Sequence, residues 1–146
     1  MHKSDSTEQR DAEAYILQSL EAKLEARFDP GARLPIAAGG RPDAIDPAKK
    51  IIVEVYARVG PVKGGQLHKI KGDVLKLALI GQQAGSEWRR ILCFASEEAA
   101  SYVTGQSWVA SAIQHFGIEI VVAPLSEEQR ERVKSAQDRQ RMVNPE

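Results

Sequence analysis

The two acidic residues at positions 43 and 54 are candidates for a chemical role. Asp43 follows Pro42 in a turn, and Glu54 lies inside the apolar, β-branched run from Lys50 to Arg58. A buried carboxylate is costly unless a cation or a proton neutralises it. Two carboxylates on neighbouring strands would also repel each other unless a cation bridges them. Carboxylate oxygens favour a hard ion, so the pair is a candidate site for Mg²⁺ or Mn²⁺.

A polar stripe follows on the next predicted helix. Gln66, Lys69, Asp73 and Lys76 recur at intervals of three and four residues, which places them along one side of that helix. A lysine in its first turns could neutralise the acids or hold a phosphate, and Lys63 in the preceding loop offers a second cation. The positive end of the helix dipole also favours phosphate there.

A third acid, Glu13, lies on the first predicted helix, three and four residues before Ile16 and Leu17, and therefore faces the sheet. Each of these residues also has an ordinary structural interpretation. Glu54 could be salt-bridged to a lysine, and Asp43 could be a turn residue, a position that Asp favours. The lysines could form a solvated face.

The elements that must position these residues follow from periodicity and from turn residues. We expect a three-layer α/β sandwich around a central mixed sheet of about five strands, in the order αβββαβαβα. The early strands predict an antiparallel meander, and the later β-α-β alternation predicts parallel pairing. The predicted helices are Ser6 or Thr7 to about Phe28, 66–83, 97–104, 106–116 and 126–142; the predicted strands are "ARLPIAA", "PDAID", 50–58, 88–95 and 118–125.

Composition limits the classes of protein. The 146 residues predict one domain, 1–146, and the formal net charge of zero excludes a basic field over the whole molecule. The single cysteine, Cys93, excludes an internal disulfide and is interpreted as a buried structural thiol. No stretch approaches the ~20 apolar residues of a membrane span, so we expect a cytoplasmic protein without a membrane contact.

This chain resembles the PD-(D/E)XK (restriction-endonuclease-like) nuclease superfamily in one motif. The motif consists of Pro42-Asp43, then ten residues, then Glu54 in a predicted strand that is followed by a helix. The order helix, three strands, helix, strand is the common core of that superfamily, and the resemblance covers about residues 8–123. The segment "EVYARVGPVKGGQLHKIKGDVLKL" is similar to a stretch of small bacterial members. The charged helix at about 126–142 lies outside the resemblance.

The resemblance implies that Asp43 and Glu54 bind Mg²⁺ or Mn²⁺ and that Glu13 assists. The motif lysine normally stands two residues after the second acid, where this chain has Tyr56. In some members that lysine lies on the neighbouring helix. The catalytic candidates implied here are Glu54, Lys69, then Lys63, with Gln66 and Glu13.

The implied activity is metal-dependent hydrolysis of phosphodiester bonds in nucleic acid, with DNA favoured. A local excess of positive charge beside the proposed metal fits a nucleic-acid backbone and consists of Arg58, Lys63, Lys69, Lys71 and Lys76. The alternative is an inactive relative that binds nucleic acid, a protein partner or a second copy of itself. A third class, a different α/β enzyme, would rest on His68 or His115, which are interpreted as surface or capping residues.

Overall fold

The computed structural model describes residues 3–143, with side chains described over 7–142. Its elements confirm the predicted α/β class. In chain order they are α1 (Lys3–Leu24), β1 (Ala44–Asp46), β2 (Ile51–Tyr56), α2 (Gly65–Ala84), β3 (Arg89–Phe94), α3 (Glu97–Thr104), α4 (Trp108–His115), β4 (Glu119–Val122) and α5 (Glu127–Val143).

The sheet of the described chain has four strands in the order β1-β2-β3-β4. β1 pairs with β2 in the antiparallel sense, with Ala44 opposite Val53. β2 and β3 are parallel, as are β3 and β4, because helices cross over between them. The predicted mixed sheet is therefore confirmed, and β2 lies between two strands with all six of its residues buried.

The predicted strand "ARLPIAA" is wrong, and the sheet has four strands rather than about five. This segment closes on itself: the Leu34 N–H donates to the Gly40 carbonyl over 3.1 Å, and the Gly39 N–H donates to Ile36 over 3.0 Å. Pro35 has no N–H to offer to a strand ladder. Leu34 is nonetheless buried, so its side chain packs in the core although the segment is not a strand.

Helix α1 ends at Leu24, four residues before the predicted end at Phe28. Glu25 adopts a left-handed conformation with φ 52°, and the Ala26 N–H donates to the Glu21 carbonyl over 3.0 Å. This pattern is a Schellman end, which caps the last carbonyls of a helix. The Glu21 carboxylate then accepts from the Phe28 N–H at 2.8 Å, which fixes the chain as it leaves the helix.

Each face of the sheet has its own apolar core. Ile52 and Tyr56 of β2 lie in the core under α2, α3 and α4. Ile51, Val53 and Val55 lie in the other core, which contains α1 residues and Val133 of α5. Helices therefore cover both faces, an arrangement compatible with the predicted sandwich.

The charged helix α5 packs through a narrow inward face. Val133, Ala136 and Gln137 are buried although most of the helix is exposed. The Gln137 amide bonds both backbone groups of Val59: Oε1 accepts from the N–H at 2.8 Å, and Nε2 donates to the carbonyl at 3.0 Å. Ser126 caps the start of α5, since its hydroxyl accepts from the Gln129 N–H at 3.2 Å. The helix is thus tied to the chain segment that leaves β2.

Two expectations from composition can be compared with the structure. Cys93 is fully buried in β3, as predicted, and burial raises the pKa of its thiol to about 12. Within residues 3–143, every helix is too short or too polar to cross a membrane.

Candidate acidic site

Glu54 points from the middle of β2 toward α2, and its side chain is only 4% exposed. Lys76, near the middle of α2, places its Nζ 2.6 Å from Glu54 Oε1. At this distance the ammonium and the carboxylate form a close ion pair, which covers Oε1 of Glu54. The buried acid therefore meets a lysine.

Asp43 stands opposite Glu54, because the antiparallel register pairs the next residue, Ala44, with Val53. Asp43 Oδ2 accepts a hydrogen bond of 2.7 Å from the Val55 N–H, which holds its carboxylate against β2. Asp43 is an exposed residue, whereas Glu54 is buried. The two carboxylates thus form a pair with one member open to solvent.

The charge state of Glu54 reflects three opposing effects. Burial, the largest cause, and the Asp43 carboxylate raise the pKa of Glu54, the Lys76 ammonium lowers it, and the net result is a pKa of about 8. The 2.6 Å contact with Lys76 alone would favour an ionised acid, so burial is the stronger effect here. Burial also lowers the pKa of Lys76, but the acids Glu54, Asp73 and Asp43 raise it overall.

Two further acids share this electrostatic environment. Lys69 Nζ lies 3.2 Å from Asp73 Oδ2, one turn further along α2. Burial raises the pKa of Asp73 and also that of Glu13 on α1. Asp43 adds to the shift at Glu13, and Lys69 opposes it, so Glu13 lies near both groups. Four acids and two lysines therefore form one group, which we call the acidic site: Glu13, Asp43, Glu54, Asp73, Lys69 and Lys76.

The structure brings the predicted acids together but assigns the lysines differently. Lys76, rather than Lys69, contacts Glu54. Helical side chains lean toward the helix N-terminus, so a lysine reaches a level about one turn before its own backbone position. Lys71 instead lies over the ring of Trp108, with its Nζ 5.4 Å from the ring centroid. The predicted basic patch is therefore divided among separate environments.

A cleft at the carboxyl end of β2 is lined by Lys63, Gln66 and Arg58, and its lining includes neither Glu54 nor Lys76. The other side of this cleft is formed by α5, which the resemblance did not cover. Its contribution could have been found from one signal, the repeated Arg and Lys residues of the final helix.

The acidic site offers a divalent ion few protein ligands. Among the described residues, no group of three or more His, Cys, Asp and Glu side chains is arranged to hold a metal ion. Mg²⁺ is nevertheless commonly bound through one or two carboxylates, with water and substrate phosphate completing the shell. Asp43 and Glu54 fit that mode in their chemistry, because two carboxylates face each other across β1 and β2 and Asp43 opens the pair to solvent, although Lys76 already covers Oε1 of Glu54.

No protein family, curated protein or solved structure matches this chain.

Proposed function

We propose that this protein is a divalent-metal-dependent nuclease of the PD-(D/E)XK type, acting on phosphodiester bonds, with DNA as the favoured substrate and the cytoplasm as its setting. The observation that supports this most is the pairing of Asp43 with Glu54 across β1 and β2 beside lysines of the following helix. The helix, antiparallel pair, helix, parallel strand order also fits that fold, although residues 3–143 lack the first of its three strands.

In this proposal Asp43 and Glu54 hold the ion. When bound, Mg²⁺ or Mn²⁺ supplies Lewis acidity toward a phosphoryl oxygen and makes an attacking water more acidic. The hydrogen bond from the Val55 N–H orients the Asp43 carboxylate. Lys76 lowers the pKa of Glu54, which makes the ionised form that a metal ion binds easier to reach, and it fixes the orientation of that carboxyl group.

Lys69 and Glu13 have supporting roles. The side chain of Lys69 is 45% exposed, so its ammonium can leave Asp73 and contact a substrate phosphate. Glu13 is a half-buried carboxylate whose pKa is raised, chiefly by burial and then by Asp43. A carboxyl with a raised pKa is suited to accept a proton from water near neutral pH.

A specific observation also favours the inactive alternative. Lys76 already stands 2.6 Å from Glu54, so its ammonium can replace the metal as the counter-ion of that carboxylate. In that case the fold would bind nucleic acid or a partner without cleaving it. Tyr56 at the position of the motif lysine agrees with this alternative.

Calorimetric titration of Mn²⁺ separates these two functions. Wild type, Glu54→Gln and Lys76→Met are titrated, with Glu131→Gln as the matched control because Glu131 is exposed on α5. The nuclease predicts binding by wild type and the control, loss in Glu54→Gln, and Mn²⁺-dependent cleavage of plasmid or single-stranded DNA that is lost with it. Binding by Lys76→Met but not by wild type would support the inactive alternative. No binding by any variant would contradict the metal site.

A further inference from the structure

A second concave surface of the described chain lies outside the acidic site. It is a cleft of about 760 Å³ between residues 58–63, which follow β2, and helix α5. Tyr56, which is 2% exposed, lines it from the sheet side. We call it the α5 cleft.

The α5 cleft concentrates positive charge in a protein whose formal net charge is zero. Its lining has five cations and two acids: Arg58, Lys63, Arg130, Lys134, Arg141, Glu98 and Asp138. The acids are weakly engaged, since Glu98 lies 3.8 Å from Arg130 and Asp138 lies 3.7 Å from Arg141. Exposed, screened pairs of this kind contribute little, so they leave the cations available to a ligand.

Two of these cations have no acidic partner within the described chain. Lys63 and Lys134 are exposed and take part in none of the ion pairs between described residues. Both line the cleft, one from the loop after β2 and the other from α5, so an anion in the cleft would meet positive charge from both elements.

The walls of the cleft are held in place by hydrogen bonds. The amide of Gln137 makes two bonds to Val59, which fixes α5 against the loop. Gln140 Oε1 accepts from Arg58 Nη1 at 3.0 Å, which orients that guanidinium. A preorganised cationic site loses less conformational entropy on binding than a flexible one.

The position of the cleft relates it to the acidic site. In open α/β sheets, ligands bind at the carboxyl ends of parallel strands, where the positive ends of helix dipoles also meet. Gln66 of the first turn of α2 lines the cleft, and Lys69 follows one turn later. Tyr56 and Glu54 lie on the same face of β2, two residues or about 7 Å apart. A chain of phosphates in the cleft would therefore extend toward the acidic site.

We propose that the α5 cleft binds the phosphate backbone of a nucleic-acid strand beside the phosphodiester presented to the acidic site. This inference rests on the proposed nuclease function for its substrate, but it assigns the binding of that substrate to α5. Lys63 and Lys134 are the main contacts, and Arg58 supplies a third, oriented charge.

The test measures binding without cleavage, in EDTA, by fluorescence anisotropy of a labelled single-stranded 20-nucleotide DNA and its duplex. The double variant Lys63→Glu/Lys134→Glu is compared with wild type across a range of NaCl concentrations. We expect about tenfold weaker binding and a log–log salt slope that is smaller by about 0.7 per lysine for single strands. The milder variant Lys63→Gln/Lys134→Gln should show the same direction of change if the charge reversal prevents folding.

Lys23→Glu is the matched control. Lys23 is exposed in the last turn of α1. The carbonyl of the next residue, Leu24, accepts from the Lys49 ammonium in the turn before β2, so this control lies near the start of β2, whereas the cleft lies at its carboxyl end. Its DNA affinity should equal that of wild type.

Equal DNA affinity in the cleft variants and the control would overturn the inference. Calorimetric binding of inorganic pyrophosphate or ATP without any binding of DNA would also overturn it, because the cleft would then serve a small phosphorylated ligand. Metal is absent throughout, so failure of the proposed nuclease function, seen as no Mn²⁺ binding or cleavage, leaves this result unaffected. DNA binding that depends on the cleft supports the inference in either case.

Discussion

Replacement of Glu54 by Gln should remove a pH dependence of stability that is localised to one side chain. The substitution keeps the size and the polar character of the side chain but removes its ionisation. In the folded protein burial raises the pKa of Glu54 from 4.5 to about 8, and Asp43 contributes to the shift. The folded state therefore binds a proton over a pH range in which the unfolded state has released it.

The sign and size of the effect follow from that difference. The stability contributed by protonated Glu54 is fully present below about pH 4.5 and is lost as the pH rises toward about 8. The free energy of unfolding should fall by about 1.4 kcal/mol per pH unit within that window. Lys76 loses its partner in Glu54→Gln, but it stays charged across this window, so that loss shifts the curve without changing its slope.

Urea denaturation at pH 5, 6, 7 and 8 provides the measurement. The quantity of interest is the free energy of unfolding of Glu54→Gln minus that of wild type, because other titrating groups cancel in this difference. It should increase with pH by a few kcal/mol in total. Glu131→Gln makes the same substitution at an exposed position of α5 and provides the baseline. A difference that stays constant from pH 5 to pH 8 would refute the reasoning and would mean that Lys76 keeps Glu54 ionised.

Two further predictions concern packing. Gln137→Leu should lower the free energy of unfolding by about 2–4 kcal/mol, because it leaves the buried N–H and carbonyl of Val59 without partners; a loss below 1 kcal/mol in urea denaturation would contradict this. On helix α2, Gly81→Ala should destabilise by about 1–3 kcal/mol, since a Cβ there would stand 2.3 Å from Arg90 Nη1 and the buried Arg90 side chain is held by the Trp88 and Leu77 carbonyls. Gly72→Ala is its matched control, with no atom within 4 Å of the added Cβ, and should stabilise by about 0.5–1 kcal/mol. Equal melting temperatures for the two glycine variants would contradict this reasoning.

The sequence predicted the parts of the fold that depend on local pattern. The β-branched run that contains Glu54 is β2, and α2 forms after it as predicted, with Ile70, Val74 and Leu77 on its buried side. The failed strand "ARLPIAA" shows the limit of that reasoning. Apolar residues near Pro35 indicated burial correctly, but only the backbone bonds between Leu34, Ile36, Gly39 and Gly40 show that the segment closes on itself.

The candidate site was predictable in its acids and less so in its cations. The short separation of Asp43 from Glu54 follows from a tight antiparallel turn, which is a local feature. Whether Lys69 or Lys76 contacts Glu54 depends on the position of α2 along β2, which is set by tertiary packing. The part played by α5 depends on Gln137, whose contacts with Val59 join residues far apart in the sequence.

The buried carboxylate of Glu54 also has a consequence for strand alignment. β2 is apolar on both faces, so hydrophobic alternation alone would tolerate a shift of one residue against its neighbours. Such a slip would move Glu54 to the opposite face, among Ile16 and Leu20 of α1, and away from the ammonium of Lys76. The cost of that misplaced charge selects a single pairing of the central strand. Folding fidelity would then depend on the same side chain whether or not the protein cleaves nucleic acid.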